Sequence, residues 1–213
     1  MLSIWRDWRR KCQANKLKDP DYKFLFSEPQ DDNVYVCFDC ETTGLNPKKD
    51  KIVSLSAIKI KGNQVLTSGA LNLLIQQEGL ISPESIAVHR IRNVDLQDGE
   101  IEVLTEREAI GRFLHFIQGY PLVGYYLEFD VAMVNGAISD WLGVRLPNRM
   151  IEVSELYYQQ RLKEVSQSIA QPNIDLKFDS ILKRLDVPNL GQHDAFSDAL
   201  MTSLIFLKLQ QPR

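Results

Sequence analysis

Asp39 and Glu41 stand two residues apart in FDCETTGL, at the end of the apolar run VYVCFD. If that run is a strand, both side chains share a face, with Cα atoms on the order of 6.6 Å apart, and both can lean onto one cation. An Asp-x-Glu pair on a surface strand is commonplace. At the end of so apolar a strand, two carboxylates lose hydration and repel each other, and a bound cation offsets that cost. The Thr42-Thr43-Gly44 turn that follows exposes backbone N–H groups beside the pair, and Gly44 admits a conformation strained for other residues. Further along, Asp130 follows the apolar LVG of LVGYYLEFD and stands where a helix begins, a place where Asp is also an ordinary N-cap. His193 and Asp198 fall in GQHDAFSDAL, just before and just inside the last helix. An acid in a first turn is stabilised by the helix dipole, and a lone His ahead of a helix is commonly a surface residue. Each of these three is a modest signal alone. Their order along the chain, after the Asp39–Glu41 pair, gives them weight.

The elements that must position these residues are readable from periodicity. Residues 34–39 form a continuous apolar run, as in a central strand covered on both faces. Residues 52–61 and 64–75 alternate and are split by Gly62-Asn63, a hairpin signal. Residues 105–118 have helical spacing behind Thr105, with an acid early in the first turn. Pro121–Gly124 reads as a short buried strand, 130–142 as a helix and 149–153 as a weak strand. Residues 154–163, 175–185 and 194–208 read as helices. A three-strand meander followed by alternating helices and strands implies an α/β sheet with one antiparallel strand. Ligands of such sheets sit at the carboxyl ends of the central strands, where Asp39 and Glu41 lie.

Ahead of this domain, taken as residues 31–213, residues 1–30 read as a basic extension. Residues 1–18 carry Arg6, Arg9, Arg10, Lys11, Lys16 and Lys18 against Asp7. Leu2, Trp5, Trp8 and Cys12 recur at helical spacing, so the segment is expected to be an amphipathic helix closed by Pro20. It either packs on the domain, extends a nucleic-acid track or docks a polymerase or other protein. The 213 residues, 44% hydrophobic, suffice for one large domain without disulfides or structural zinc. Cys37 and Cys40 spell C-x-x-C, but on a strand residues three apart point to opposite faces, and no second Cys pair completes a zinc site. They read as core cysteines. No run approaches 18 apolar residues and no signal-peptide pattern opens the chain, so no membrane association and a cytoplasmic location are expected. A net charge of −3 argues against a general nucleic-acid coating protein, yet clustered metal-binding carboxylates leave a nuclease acidic.

Taken together, D-x-E-T-T-G, an Asp after an LVG strand, and H-x-A-x-x-D-A near the C-terminus resemble the DEDDh exonucleases, and among them the proofreading epsilon subunits of bacterial DNA polymerase III. The segment ISPESIAVHRI at 81–91 is similar as well, and the resemblance covers about residues 33–208. It implies an RNase H-like mixed sheet flanked by helices, two divalent cations (Mg²⁺ or Mn²⁺) and 3′→5′ removal of nucleotides, preferably from single-stranded DNA. By matching position, Asp39, Glu41, Asp130 and Asp198 bind metal and His193 is the general base. Thr42 and Leu45 contact the terminal nucleotide, Leu45 by wedging against its base. Two departures stand out. Tyr125-Tyr126 occupies the place of a polar pair, usually His-Asn, and Arg90 follows His89 where the family usually has Gly.

The chemistry accounts for the residue types. Hydrolysis of a phosphodiester needs an attacking hydroxide, charge neutralisation and a stabilised leaving alkoxide, which two hard cations supply. Such cations take oxygen ligands, hence carboxylates. Removing a proton from water near neutral pH suits His, whose reference pKa is about 6.5. Other readings are an RNA exonuclease or oligoribonuclease of the same superfamily, a catalytically silent nucleic-acid-binding module, and an aspartate-based Mg²⁺ receiver or phosphatase domain. The last gives no role to Asp130, His193 and Asp198.

Overall fold

The apolar run around Phe38 forms a nine-residue strand, β1 (Val34–Thr42), and the two alternating segments form β2 (Ile52–Lys61) and β3 (Gln64–Ile75). The computed structural model describes residues 10, 12–77, 102–164, 173–191 and 193–211. Lys61 pairs with Gln64, so Gly62-Asn63 is a two-residue hairpin loop, and Gly62 takes a positive φ of 56° as such turns require. After these come β4 (Val103–Leu104), α1 (Glu106–Ile117), β5 (Leu122–Gly124), α2 (Leu127–Leu142), β6 (Met150–Glu152), α3 (Val153–Glu164), α4 (Phe178–Leu185) and α5 (Ala195–Gln210).

The strands form one sheet in the order β4-β3-β2-β1-β5-β6. β2 is antiparallel to both neighbours, whereas β1/β5, β5/β6 and β3/β4 are parallel, so one strand runs against the other five. The expected mixed α/β architecture is therefore present, an RNase H-like sheet flanked by helices. Strand β4 was not anticipated; two residues are too few to show a period.

Alternation along β1 divides two cores. Val36, Phe38 and Cys40 face α1 and α2, packing with Phe113, Leu114, Val134 and Ile138. Cys37 faces the other way, onto α3, α4 and α5, with Val153, Ile181, Ile205 and Phe206. The C-x-x-C cysteines are thus buried on opposite faces, as strand geometry requires. The same alternation puts Asp39 and Glu41 on the side of Cys37.

Helix α1 has a complete capping box. Glu108 N–H donates to Thr105 Oγ1 at 3.3 Å, and Thr105 N–H donates to Glu108 Oε2 at 3.1 Å, so the partner acid sits at the third helical position, beyond the early Glu106. Ahead of β1, Pro20 does not merely end a helix; it opens a 3₁₀ helix, Pro20–Phe26, capped by Asp19. Leu25 from this turn is fully buried against the α1/α2 core, Phe24 stacks on His115, and Tyr22 meets the edge of Trp141. Cys12–Ala14 are helical, while Trp5, Trp8 and the 81–91 segment with His89 lie outside the described residues.

Candidate active site

Three elements converge at the carboxyl end of β1. The strand itself carries Asp39 and Glu41, and its register with β2 shifts between Glu41 and Thr42, a bulge that redirects the chain as it leaves the sheet. The loop beyond is braced by Asp50, whose carboxylate accepts from Asn46 N–H at 2.7 Å and from Thr43 Oγ1 at 3.4 Å. A Cβ on Gly44 would lie 2.6 Å from that carboxylate, so a larger residue there would have to displace the Asp50 side chain. The strained backbone expected of Gly44 is not present, since it is not among the glycines of positive φ. Thr42 turns its hydroxyl to Gly44 O at 2.7 Å, and Leu45 projects outward, 86% exposed.

Helix α5 delivers the second set. Asp194 is its N-cap, accepting from Ser197 N–H at 3.0 Å. Ala195 and Ala199 are both buried, and their small size lets the helix lie close to the sheet with Asp198 between them. Asp198 Oδ2 accepts from His193 N–H at 2.9 Å, and His193 holds a left-handed φ of 68°. That bond fixes the His193 backbone beside the carboxylates while its side chain stays exposed.

Carboxylate oxygens of Asp39, Glu41 and Asp198 lie within 4.8 Å of one another. Asp130 is not one of these three, but its charge bears on Asp39. It does not cap α2, as its position after the loop had suggested; it is the fourth residue of the helix, whose N-cap is Tyr126 in the left-handed region. Asp130 is 4% exposed, and its carboxylate faces the Cys40 backbone N–H and thiol.

Electrostatics at this corner run in one direction. Burial pushes the Asp39 carboxyl well above the usual range, and the charges of Asp130, Asp198, Glu41 and Asp194 push it further. Glu41 is raised to about 7 by burial and then by Asp198 and Asp194. Asp130 is raised well above its ordinary value by burial, with the Cys40 contacts opposing. Asp198 is raised by burial against the pull of His193. A site that disfavours its own ionised carboxylates lacks positive charge. Converging oxygen donors with no sulfur among them fit a hard divalent cation.

Two contributors were not read from the sequence. Asp194 adds charge to Asp39, Glu41 and Asp198 while capping α5; its signal was an Asp directly before a helical run. Glu152, at the end of β6, accepts from Leu127 N–H at 3.0 Å and from Ser154 N–H at 3.0 Å, so it anchors the starts of α2 and α3 together. No local pattern marks that role.

Most of the chain is matched by known proteins. The DNA polymerase III PolC-type of Caldanaerobacter subterraneus subsp. tengcongensis is 27% identical over 186 residues, covering 86% of this chain but 12% of the relative. The DNA polymerase III subunit epsilon of Aquifex aeolicus is 24% identical over 179 residues, covering 84% of this chain and 81% of that one. The chain thus spans about an eighth of the PolC-type relatives it matches. Among solved structures, Escherichia coli exonuclease I in complex with a dT13 oligonucleotide superposes with a TM-score of 0.64 at 16% identity, over 82% of this chain and 40% of the other. A structure of exonuclease I reaches 0.67 at 15% identity, over 84% and 41%. These likenesses establish the shared fold. The exonuclease family model matches residues 36–206, from the strand that carries Asp39 and Glu41 into the helix that carries Asp198, and the chain belongs to the exonuclease family.

Proposed function

We propose that the chain is a metal-dependent 3′→5′ exonuclease that removes nucleoside 5′-monophosphates from single-stranded DNA ends. The observation that carries this reading is the convergence of Asp39, Glu41 and Asp198 oxygens within 4.8 Å at the carboxyl end of β1. Asp39, Glu41, Asp130 and Asp198 are the residues that would hold two Mg²⁺ or Mn²⁺ ions. Such ions neutralise the phosphate and stabilise the departing oxygen.

The chain's own residues do the rest. A water oxygen bonds to the terminal phosphorus as the bond from phosphorus to the 3′ oxygen of the preceding nucleotide breaks. His193, on the loop beside Asp198, takes the water proton, and the leaving oxygen gains a proton to become the new 3′ hydroxyl. Leu45, exposed just beyond β1, wedges against the terminal base, and Thr42 with the turn backbone holds its sugar and phosphate. The exonuclease I relative bound to dT13 supports single-stranded DNA as substrate, and the epsilon relative supports a polymerase-associated setting.

The test is a product ladder from 5′-labelled single- and double-stranded DNA and RNA, including dinucleotides, with Mg²⁺ or Mn²⁺. Single-nucleotide shortening from the 3′ end, fastest on single-stranded DNA and strongly slowed by a 3′ phosphate, is the expected result. Comparable cutting of circular single strands contradicts it, and faster turnover of RNA or dinucleotides moves the substrate to the RNA branch.

A further inference from the structure

Asp130 comes to the carboxylate cluster from a different side than its companions. Asp39 and Glu41 share the face of β1 that carries Cys37. Asp130 belongs to the buried stripe of α2 with Leu127, Val134 and Ile138, and that stripe packs on the opposite face, against Phe38 and Cys40. Strand alternation therefore turns Cys40, and neither of the acids that flank it, toward the side from which Asp130 arrives.

The edge of β1 is open at the same point. Val36 N–H donates to Pro121 O at 2.9 Å, so the N–H groups of alternate residues along this strand, Cys40 among them, point toward β5. The residues of β1 paired with β5 are Val36 and Cys37, and β5 ends at Gly124. Cys40 N–H thus lies past its neighbouring strand, and the Asp130 carboxylate accepts it there, with the Cys40 thiol donating to the same carboxylate. One residue supplies two donors to an acid that is 4% exposed. An aliphatic residue at position 40 would serve the core packing but leave this buried carboxylate one donor short.

We propose that Cys40 is the positioning residue of Asp130: its N–H and thiol hold the carboxylate against rotation, so that the fourth acid is presented to metal in one orientation. The inference rests on the exonuclease reading for the assignment of Asp130 to the metal site. An acid ordered before the ion arrives loses less freedom on binding it. A thiol is a weak donor, so its share is that of one modest hydrogen bond.

Manganese binding to the full chain tests this separately from cleavage. Free Mn²⁺ is counted by its electron paramagnetic resonance signal through a titration. Cys40→Ala should weaken Mn²⁺ binding by about 3- to 10-fold. Cys40→Ser restores a donor and should bind as the wild type does, while melting lower because a hydroxyl suits an apolar core poorly. That order separates positioning from packing, for which serine is the worse substitute. In an Asp130→Ala background, Cys40→Ala should make no further difference, because the group it orients is gone. Unchanged binding by Cys40→Ala, a Cys40→Ser variant as weak as Cys40→Ala, or an equal loss in both backgrounds overturns the proposal. So does a thiolate-to-metal charge-transfer band with Cd²⁺ that vanishes in Cys40→Ser, which makes Cys40 a ligand instead. If the Mn²⁺ pattern holds but neither Mg²⁺ nor Mn²⁺ supports shortening of a single strand, the positioning role stands and the exonuclease reading falls. Shortening by a protein whose Cys40→Ala variant binds Mn²⁺ normally has the reverse meaning.

Discussion

Within the carboxylate cluster, each acid is set by what lies beneath and beside it. Asp39 is the most crowded, facing Asp130, Asp198, Glu41 and Asp194. Replacing it with Asn removes the proposed ligand and a repulsive charge without changing shape. Asp39→Asn should therefore lose cleavage while its metal-free melting temperature equals or exceeds that of the wild type, by up to about 4 °C per kcal/mol of relieved repulsion. Residual cleavage at the wild-type rate, or a clearly lower melting point, would remove Asp39 from the site. His193 differs in kind: its backbone is tied to Asp198, and its side chain is exposed. His193→Ala should slow turnover by about 10²- to 10⁴-fold, yet still gain melting temperature on adding Mn²⁺. Near-normal turnover would assign the proton transfer elsewhere. Asp39, Glu41 and Asp198 were legible because chemistry constrains residue type and strand alternation constrains direction. Asp194 and Glu152 were not, because a cap and an anchor look like any other surface acid until the chain is folded.

At the level of elements, β2 and β3 were legible to the residue, since alternation and Gly62-Asn63 are local signals, whereas β1 runs three residues past the apolar run at 34–39, because its polar end breaks the pattern. The start of α2 was not legible. Periodicity placed it at Asp130, but Leu127, Glu128 and Phe129 are already helical, and no side-chain cap announces the beginning. What sets it is tertiary: Glu152 from β6 accepts the Leu127 N–H and, through its other oxygen, the Ser154 N–H and Ser154 hydroxyl, the last at 2.7 Å. A carboxylate shared by two helix N-termini favours both dipoles and ties α2 to α3. Glu152→Ala should leave two N–H groups without their acceptor and cost about 1–3 kcal/mol. Because α2 carries Asp130, turnover should fall further than lost stability explains, and thermal melting alongside kcat at saturating metal separates the two. Glu152→Gln, which keeps both the shape and one acceptor oxygen, should recover most of the stability. If the Ala variant melts and turns over like the wild type, the anchor is idle.

For the molecule as a whole, these local shifts sum into a dependence of stability on pH and metal. Asp39, Glu41, Asp130 and Asp198 all have carboxyls raised on folding, Glu41 from 4.5 to about 7. A raised carboxyl means the native state binds protons more tightly than the unfolded chain. Its contribution is therefore complete below the unfolded value and fades as pH climbs through the folded one. Surface acids act oppositely: Asp31, Glu102, Glu108 and Asp175 are lowered by their hydrogen bonds. Their contribution is lost only as pH falls through those lowered values, outside the window from pH 5 to 8. Between those limits the raised group decides the sign. The metal-free protein should melt progressively lower from pH 5 to pH 8, with Glu41 contributing most steeply at about pH 6, midway between its unfolded and folded values. A divalent cation binds the ionised native site and displaces its protons, so it stabilises by mass action and does so more at high pH. Mg²⁺ or Mn²⁺ should thus raise the melting temperature more at pH 8 than at pH 5 and flatten the slope between them. Asp39→Asn should show a shallower metal-free slope, because the remaining acids face one charge fewer. Calorimetric scans of both proteins, with chelator and with metal at each pH, decide the matter. A metal-free melting temperature that rises from pH 5 to 8, or a metal increment equal at both, would mean that the crowded carboxylates do not set the stability of this fold.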